Sequence, residues 1–268
     1  MAEFLNLLNK QMETPKPYGV FHLCAFGLVI LVTALLCAFG KKAKERAFRR
    51  ICLAAWVILV LFETYKQINF SFNYNGGAPY WDYQWYAFPF QLCSAPIYIL
   101  PFVFLSKEGS AVRKATVAFM SSYVLFAGAA VMFYPVSVFV GTVGINIQTM
   151  VWHGTQVILG CFFLTKYRNE LNAGFFLRGI PVFLIMVGIA VALDLIIPNF
   201  TDETFNMYFI SPKFPSTLPV LSMLYGEEPV IPWVLFFVIY LVGYTLAAFL
   251  TFIVGRAIAK GNKAKQQL

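Results

Sequence analysis

The chain has 268 residues, of which 60% are hydrophobic and only 12% charged. A soluble domain carries roughly 25% charged residues, so this composition excludes an ordinary globular core. The formal charge of +8 would point to nucleic acid in a soluble protein, but here the basic residues are distributed as a membrane topology signal.

Long apolar blocks predict seven membrane-spanning helices, at Tyr18–Phe39, Ile51–Phe70, Phe88–Leu105, Ala111–Phe133, Gln148–Thr165, Phe175–Ile197 and Ile231–Val254. Each comes near the ~20 residues that cross ~30 Å of hydrocarbon, the third and fifth being short. The first block is long, lacks a basic segment before it and is followed by positive charge, so it is expected to be a retained span. Lys41, Lys42, Lys44, Arg46, Arg49 and Arg50 follow it. Lys107, Arg113 and Lys114 come next, then Lys166, Arg168 and Arg178, then Arg256, Lys260, Lys263 and Lys265. These sixteen of the 20 basic residues fall in alternate connections and the C-terminal tail. The other connections hold Asp82, Asp202, Glu203, Glu227 and Glu228, with Lys213 their only basic residue. Lys/Arg enrichment marks the cytoplasmic side, which puts the N-terminus outside and the C-terminus in the cytoplasm. The expectation is an all-α polytopic protein of the cell membrane, forming one membrane domain over residues 1–268, with no nucleic-acid partner.

The outer connections carry more local signals. Asn75-Gly76-Gly77 predicts a turn, and Tyr80, Trp81, Tyr83, Trp85 and Tyr86 form an interfacial aromatic belt. Pro89 fits the opening turn of the third span, whereas Pro96 and Pro101 predict kinks that free carbonyls. The longest connection, Pro198–Val230, is open to two readings, a lid over the outer face or an inert connector. No internal repeat supports transporter-like symmetry.

Polar and ionisable groups inside spans are costly and need a partner or a task. His22, Glu63, Lys66, Gln91, Cys93, His153, Gln156 and Asp194 all fall in the outer half under this topology. Counting ~1.5 Å per residue from the expected span ends puts Cys93 and His153 at similar depth, as a thiol–imidazole pair requires. Plainer readings stand beside these. Cys93 is a small hydrophobe that packs well, Glu63 and Lys66 are spaced for a self-contained i,i+3 ion pair, and Asp194 and His22 are near enough to the interface to be solvated. Cys24, Cys37, Cys52, Cys93 and Cys161 form neither a disulfide framework nor a zinc pattern. No phosphate loop, zinc motif or nucleophile elbow is present, so neither metal nor cofactor is expected.

Four segments carry a family likeness. Phe88-Pro89-Phe90-Gln91-Leu92-Cys93 resembles the L-P-L-H-L-C segment of the YwaF-like integral membrane proteins, related to transmembrane protein 164. Met150-Val151-Trp152-His153-Gly154 is similar to their His-Gly segment, Asn206-Met207-Tyr208-Phe209 before Pro212 to their N-Y-M-Y-L…P stretch, and Pro232-Trp233 to their G-P-W-P-W-Y. Gln91 stands where the family has His, the N-Y-M-Y block is shortened, and Glu227-Glu228 interrupt the last motif. The resemblance implies a seven-span fold and lipid acyl transfer through a Cys and a His, with fatty-acid ester hydrolysis in more distant relatives. Cys93 and His153 match those catalytic positions.

Two functions follow. In the first, Cys93 attacks a membrane lipid ester with His153 as base, Glu63 or Asp194 orienting the imidazole, and Gln91 holding the oxyanion. Lys66, Gln156, Asn206 and Tyr208 would then line the substrate side. In the second, Glu63, Lys66 and Asp194 form an outward-facing pocket that binds or transports a lipid, metabolite or ion.

Overall fold

The computed structural model of the chain describes residues 2–40, 42–73 and 78–261. The expected turn at Asn75-Gly76-Gly77 and the basic residues Lys41, Lys263 and Lys265 lie outside the described residues. The described chain is almost wholly helical: α1 (Ala2–Leu8), α2 (Val20–Gly40), α3 (Glu45–Ser71), α4 (Leu92–Leu105), α5 (Ala111–Phe133), α6 (Val143–Lys166), α7 (Ala173–Asn199) and α8 (Trp233–Gly261). A two-residue antiparallel pair, β1 (Phe72–Asn73) with β2 (Tyr80–Trp81), closes the connection after α3. Among the described residues, α2, α3, α5, α6, α7 and α8 are long and apolar enough to cross a membrane. Helices are what such blocks must form, because lipid offers the backbone no other hydrogen-bond partners.

The third expected span is where the chain departs from its hydropathy. Phe88–Gln91 is not helical; α4 starts with a 3-10 turn at Leu92 and runs 14 residues, about 21 Å. Pro89 therefore sits ahead of the helix rather than in its first turn, and it keeps Phe88 extended at ψ 134°. Pro96 falls in the first turn of the α-helical part, where its missing N–H costs nothing and no kink follows. Pro101 is interior and leaves the Ile97 carbonyl without its helical donor. The Trp56 indole supplies one, donating Nε1–H to Ile97 O at 2.8 Å. The kink-prone position is thus stapled to α3.

Long-range hydrogen bonds sort the helix termini into two ends. At one end Arg113 is fully buried: Nε donates to Val103 O at 2.8 Å, NH1 pairs with Glu45 at 2.7 Å, and the guanidinium lies 5.0 Å from the Phe48 ring centre. Arg49 donates to Ser106 O, Lys166 to Ala43 O and Lys260 to Leu171 O at the same end. Arg113 was expected as an ordinary loop charge; it instead ties α3, α4 and α5 together. At the other end Tyr65 donates to Leu8 O, Gln67 to Ala87 O and Tyr18 to Phe133 O. His22, expected near the interface and solvated, is 1% exposed. Its Nε2 donates to Met132 O at 2.9 Å, so Nδ1 accepts from the Tyr18 amide at 3.0 Å. With both nitrogens committed, His22 is a structural tie between α2 and α5. Neighbouring helices therefore run in opposite directions, and the basic connections gather at one end.

The central helix is α6, packed on both α2 and α5. Close approach depends on glycine. A Cβ on Gly128 of α5 would meet Gln156 Cβ at 2.6 Å and His153 O at 2.9 Å; one on Gly154 would meet Val29 at 2.5 Å. Such small-residue contacts let backbones pack where lipid supplies no hydrophobic drive. Helix α5 also contains a π-helical turn at Met120–Val124, which no periodicity in the sequence announces. The turn accompanies a buried Tyr123, whose hydroxyl bonds Thr245 at 3.1 Å and whose ring stacks on Phe183 at 4.3 Å.

Candidate functional site

Because α4 is short, its end away from the basic connections is completed by irregular chain. Two segments fill that volume, Phe88–Gln91 and Phe205–Ser211 of the long connection. Phe205, Met207, Tyr208, Ile210 and Ser211 are buried, so this part of Pro198–Val230 is a packed plug rather than an inert surface connector. Tyr208 and Phe209 both have left-handed backbone, at φ 56° and 58°. That conformation costs non-glycine residues of order 1–3 kcal/mol each and persists only where the surroundings impose it.

The residues singled out by sequence supply that restraint. Gln91 Nε2 donates to Asn206 O at 2.8 Å, and its Oε1 accepts from the Tyr208 amide at 2.7 Å. Asp194, expected to be solvated, is fully buried, and its Oδ1 accepts from the Met207 amide at 2.6 Å. Asn206 donates to Pro215 O and accepts from the Ser211 amide, both at 2.9 Å. Gln91, Asp194 and Asn206 therefore spend their polar atoms on the plug backbone. The Asp194 Oδ2 atom and the Tyr208 hydroxyl remain buried without a partner.

Cys93 and His153 come from different helices, α4 and α6. Cys93 is half-buried in the first turn of α4. Its carbonyl accepts two hydrogen bonds from α6, Trp152 Nε1 and Gln156 Nε2, each at 2.8 Å. This clamp holds Cys93 at the level of the helical turn that carries His153. Equal depth was expected, but at a shallower position: α6 begins at Val143, so His153 lies ten residues, about 15 Å, along the helix.

His153 is buried, and its Nδ1 lies 2.8 Å from Thr149 O. A carbonyl only accepts, so Nδ1 carries the proton and a neutral ring leaves Nε2 as an acceptor. Nε2 bonds no described residue, and no hydrogen bond joins the ring to the Cys93 thiol. Lys66 and its ion-pair partner Glu63 both lie within electrostatic reach of Cys93, and Lys66 also of His153.

Glu63 and Lys66 form the self-contained pair that their spacing allows, Nζ to Oε1 at 2.8 Å. Gln67 donates to the same Oε1 at 2.7 Å, while Glu63 Oε2 is buried and unpartnered. Glu63 also lines a groove of about 370 Å³ with Gln67, Trp81, Pro89 and Tyr98. Asp194 is not part of its wall, so Glu63 and Asp194 do not share this groove. Among the described residues, no group of three His, Cys, Asp or Glu side chains could hold a metal ion.

Sequence reasoning missed the α6 clamp on Cys93. Gln156 read as lining the substrate side and Trp152 as part of the His-Gly segment, whereas both donate to one carbonyl. Their i,i+4 spacing on one helix face was the available signal.

Fold and site define a polytopic helical membrane protein with a polar cluster set among its helices. No family model, curated protein or solved structure matches the chain. What the four resembling segments imply therefore enters as a proposal.

Proposed function

We propose that this protein is a membrane-embedded lipid acyltransferase or lipid ester hydrolase with Cys93 as nucleophile and His153 as base. The observation that carries the reading is the state of His153, a buried imidazole with Nδ1–H fixed by Thr149 O and Nε2 unbonded. A general base needs such a free acceptor held in one orientation. The clamp on the Cys93 carbonyl brings the thiol to the same level of α6. The resemblance of the Phe88–Cys93 and Met150–Gly154 segments to YwaF-like proteins supports the same pair.

In this reaction the Cys93 sulfur attacks the carbonyl of a phospholipid acyl ester while its proton passes to His153 Nε2. The ester C–O bond breaks, and the departing alkoxide takes that proton, leaving a lysolipid and a Cys93 thioester. A hydroxyl acceptor, from a second lipid or from water, then attacks the thioester and delivers its proton to His153. The thiolate leaves and recovers the proton. Lys66 supplies positive charge where the oxyanion and thiolate develop. Gln91, assigned the oxyanion from sequence, has both amide atoms engaged with the plug, so in this state it positions the plug.

The same reading takes all seven apolar helices as spans, α4 crossing with the help of the buried plug. The basic end is then cytoplasmic and the Cys93–His153 level lies in the outer half. A second reading is favoured by one observation, the unpartnered Glu63 Oε2 beside the 370 Å³ groove. There the groove binds or passes a lipid, metabolite or ion, and Cys93 is packing.

A lipid-tailed chloroacetamide applied to the purified protein in lipid, with mass-spectrometric mapping, separates the two. Acyl transfer expects Cys93 to label ahead of the other four cysteines and His153→Ala to abolish that selectivity. Uniform labelling, or labelling indifferent to His153, removes the enzyme reading. Saturable uptake that survives Cys93→Ala and fails in Glu63→Gln would establish the groove instead.

A further inference from the structure

A second and larger cavity runs along the bundle away from the plug, from Met132 and Phe133 at one end to Arg168 at the basic end. It is a groove of about 890 Å³ bounded by α2, α5, α6 and α8. Its walls are apolar along α2 from Phe26 to Ala38, and small residues such as Ala34 and Gly255 keep it open. The flanking helices α2 and α8 are the least buried of the long helices and scarcely touch each other. Phe26 to Ala38 spans about 18 Å along α2. Half of a ~30 Å hydrocarbon core is about 15 Å, so the groove, which continues past this stretch to Met132 and Phe133, is long enough to hold an acyl chain of one leaflet.

The groove is not apolar throughout. Arg168, just past the end of α6, belongs to its wall at the basic end. Its neighbours are already committed, Lys166 to Ala43 O and Lys260 to Leu171 O. Arg168 is half-buried and makes no hydrogen bond or ion pair with any described residue. A guanidinium with no described partner at the mouth of an apolar channel suits an anionic headgroup on a hydrocarbon chain, and a phosphate is the headgroup anion of membrane phospholipids. Guanidinium donors fit phosphate oxygens in a bidentate fork, and basic pockets between helices at a membrane face recruit anionic headgroups.

We propose that the groove is a binding site for one anionic phospholipid of the leaflet at the basic end. An acyl chain lies between α2 and α8, and the phosphate rests against Arg168. The site is separate from Cys93 and His153, and the inference stands whether or not the protein is an acyltransferase.

Native mass spectrometry of the delipidated protein in detergent tests this, titrating phosphatidylglycerol against phosphatidylcholine of identical chains. The wild type is expected to take up one phosphatidylglycerol at about tenfold lower lipid concentration, a difference of ~1.4 kcal/mol. Arg168→Gln should bring phosphatidylglycerol down to the phosphatidylcholine level. Ala34→Trp, at an exposed position on the groove wall, should weaken both lipids. Equal uptake of the two lipids by the wild type overturns the proposal, as does a preference that survives Arg168→Gln.

A second readout needs no variant. Cys37 and Cys161 line the groove and Cys24 does not. Saturating phosphatidylglycerol should slow alkylation of Cys37 and Cys161 by a membrane-permeant maleimide and leave Cys24 unchanged. Equal rates with and without the lipid would count against the site.

Discussion

Gln91→Leu should release the plug while leaving the helical bundle intact. The wild-type amide bonds both Asn206 O and the Tyr208 N–H, so one side chain supplies two of the contacts holding a left-handed pair of residues. A net hydrogen bond is worth about 0.5–1.5 kcal/mol, and about 0.6 kcal/mol is the average inside membrane proteins. Two bonds lost at once, with a buried amide and carbonyl orphaned, give about 1–3 kcal/mol against the closed plug. Backbone strain at Tyr208 and Phe209 pushes the same way. By mass action, amide exchange across Phe205–Ile210 should then accelerate about 5- to 150-fold. Exchange should stay near wild-type rates in α5 and α6, to which the Gln91 amide makes no hydrogen bond. Gln91→His, which keeps one donor and one acceptor, should fall between. Hydrogen–deuterium exchange read by mass spectrometry in detergent makes the comparison. If Gln91→Leu exchanges Phe205–Ile210 at the wild-type rate, Gln91 does not hold the plug and the argument fails.

Other substitutions probe separate parts of the fold. His22→Ala orphans Met132 O and the Tyr18 amide and should cost about 1–2 kcal/mol, seen as a lower melting temperature in detergent. His22→Gln should recover part of it, and equal melting of all three proteins would contradict the tie. Gly128→Leu should abolish the folded yield by driving α5 from His153 and Gln156, whereas Gly188→Leu, facing open space, should be tolerated. Equal yields would mean that the α5–α6 approach is not required. Glu45 lies outside the span proper. Burial alone would raise its pKa, but hydrogen bonds and charge from Arg49 and Arg113 outweigh this and hold it below the ordinary 4.5. A depressed folded pKa contributes stability above pH 4.5 that is lost as the pH falls through the lower folded value. Glu45→Gln should therefore melt earlier at pH 7 and lose less than wild type on acidification. A parallel pH profile would refute the assignment.

Much of the bundle was legible because its information is local. Hydropathy located α2, α3, α5, α7 and α8 to within a few residues, except for extra turns beyond the expected ends of α3 and α8, where Glu45 and Lys260 carry the helix into polar surroundings. The same local logic failed at Phe88–Gln91. Its apolar residues read as span, but they are apolar because they pack against Phe205 and Tyr208, contacts set more than 100 residues away. The site shows the same limit. The count along helices misjudged the depth of Cys93 and His153, because Phe88–Gln91 is not helical and α6 starts at Val143, and the partners of Gln91, Asp194 and Asn206 depend on how a remote connection folds back. Polar residues in spans demand satisfaction, and sequence alone does not reveal whether a ligand or the chain's own backbone provides it.

That distinction bears on which polar atoms remain free for chemistry. Irregular backbone at membrane depth is tolerated only where protein buries it or where it lines a cavity. The chain accepts a shortened α4 and commits Gln91, Asp194 and Asn206 to paying for the backbone groups exposed as a result. The Cys93 carbonyl is satisfied twice over by Trp152 and Gln156. After these commitments His153 Nε2 stands without a described partner, as do buried atoms through the bundle, from an Arg113 nitrogen at the basic end and Asp194 Oδ2 to Glu63 Oε2, Gln156 Oε1 and the Tyr208 hydroxyl. The last three are fully buried, and leaving such atoms unmade costs about 1–3 kcal/mol each. A structural plug needs none of them, since its backbone is already bonded. Under the proposed acyl transfer, His153 Nε2 and Gln156 Oε1, about one helical turn apart beside the clamped Cys93 carbonyl, are the atoms a polar substrate would meet.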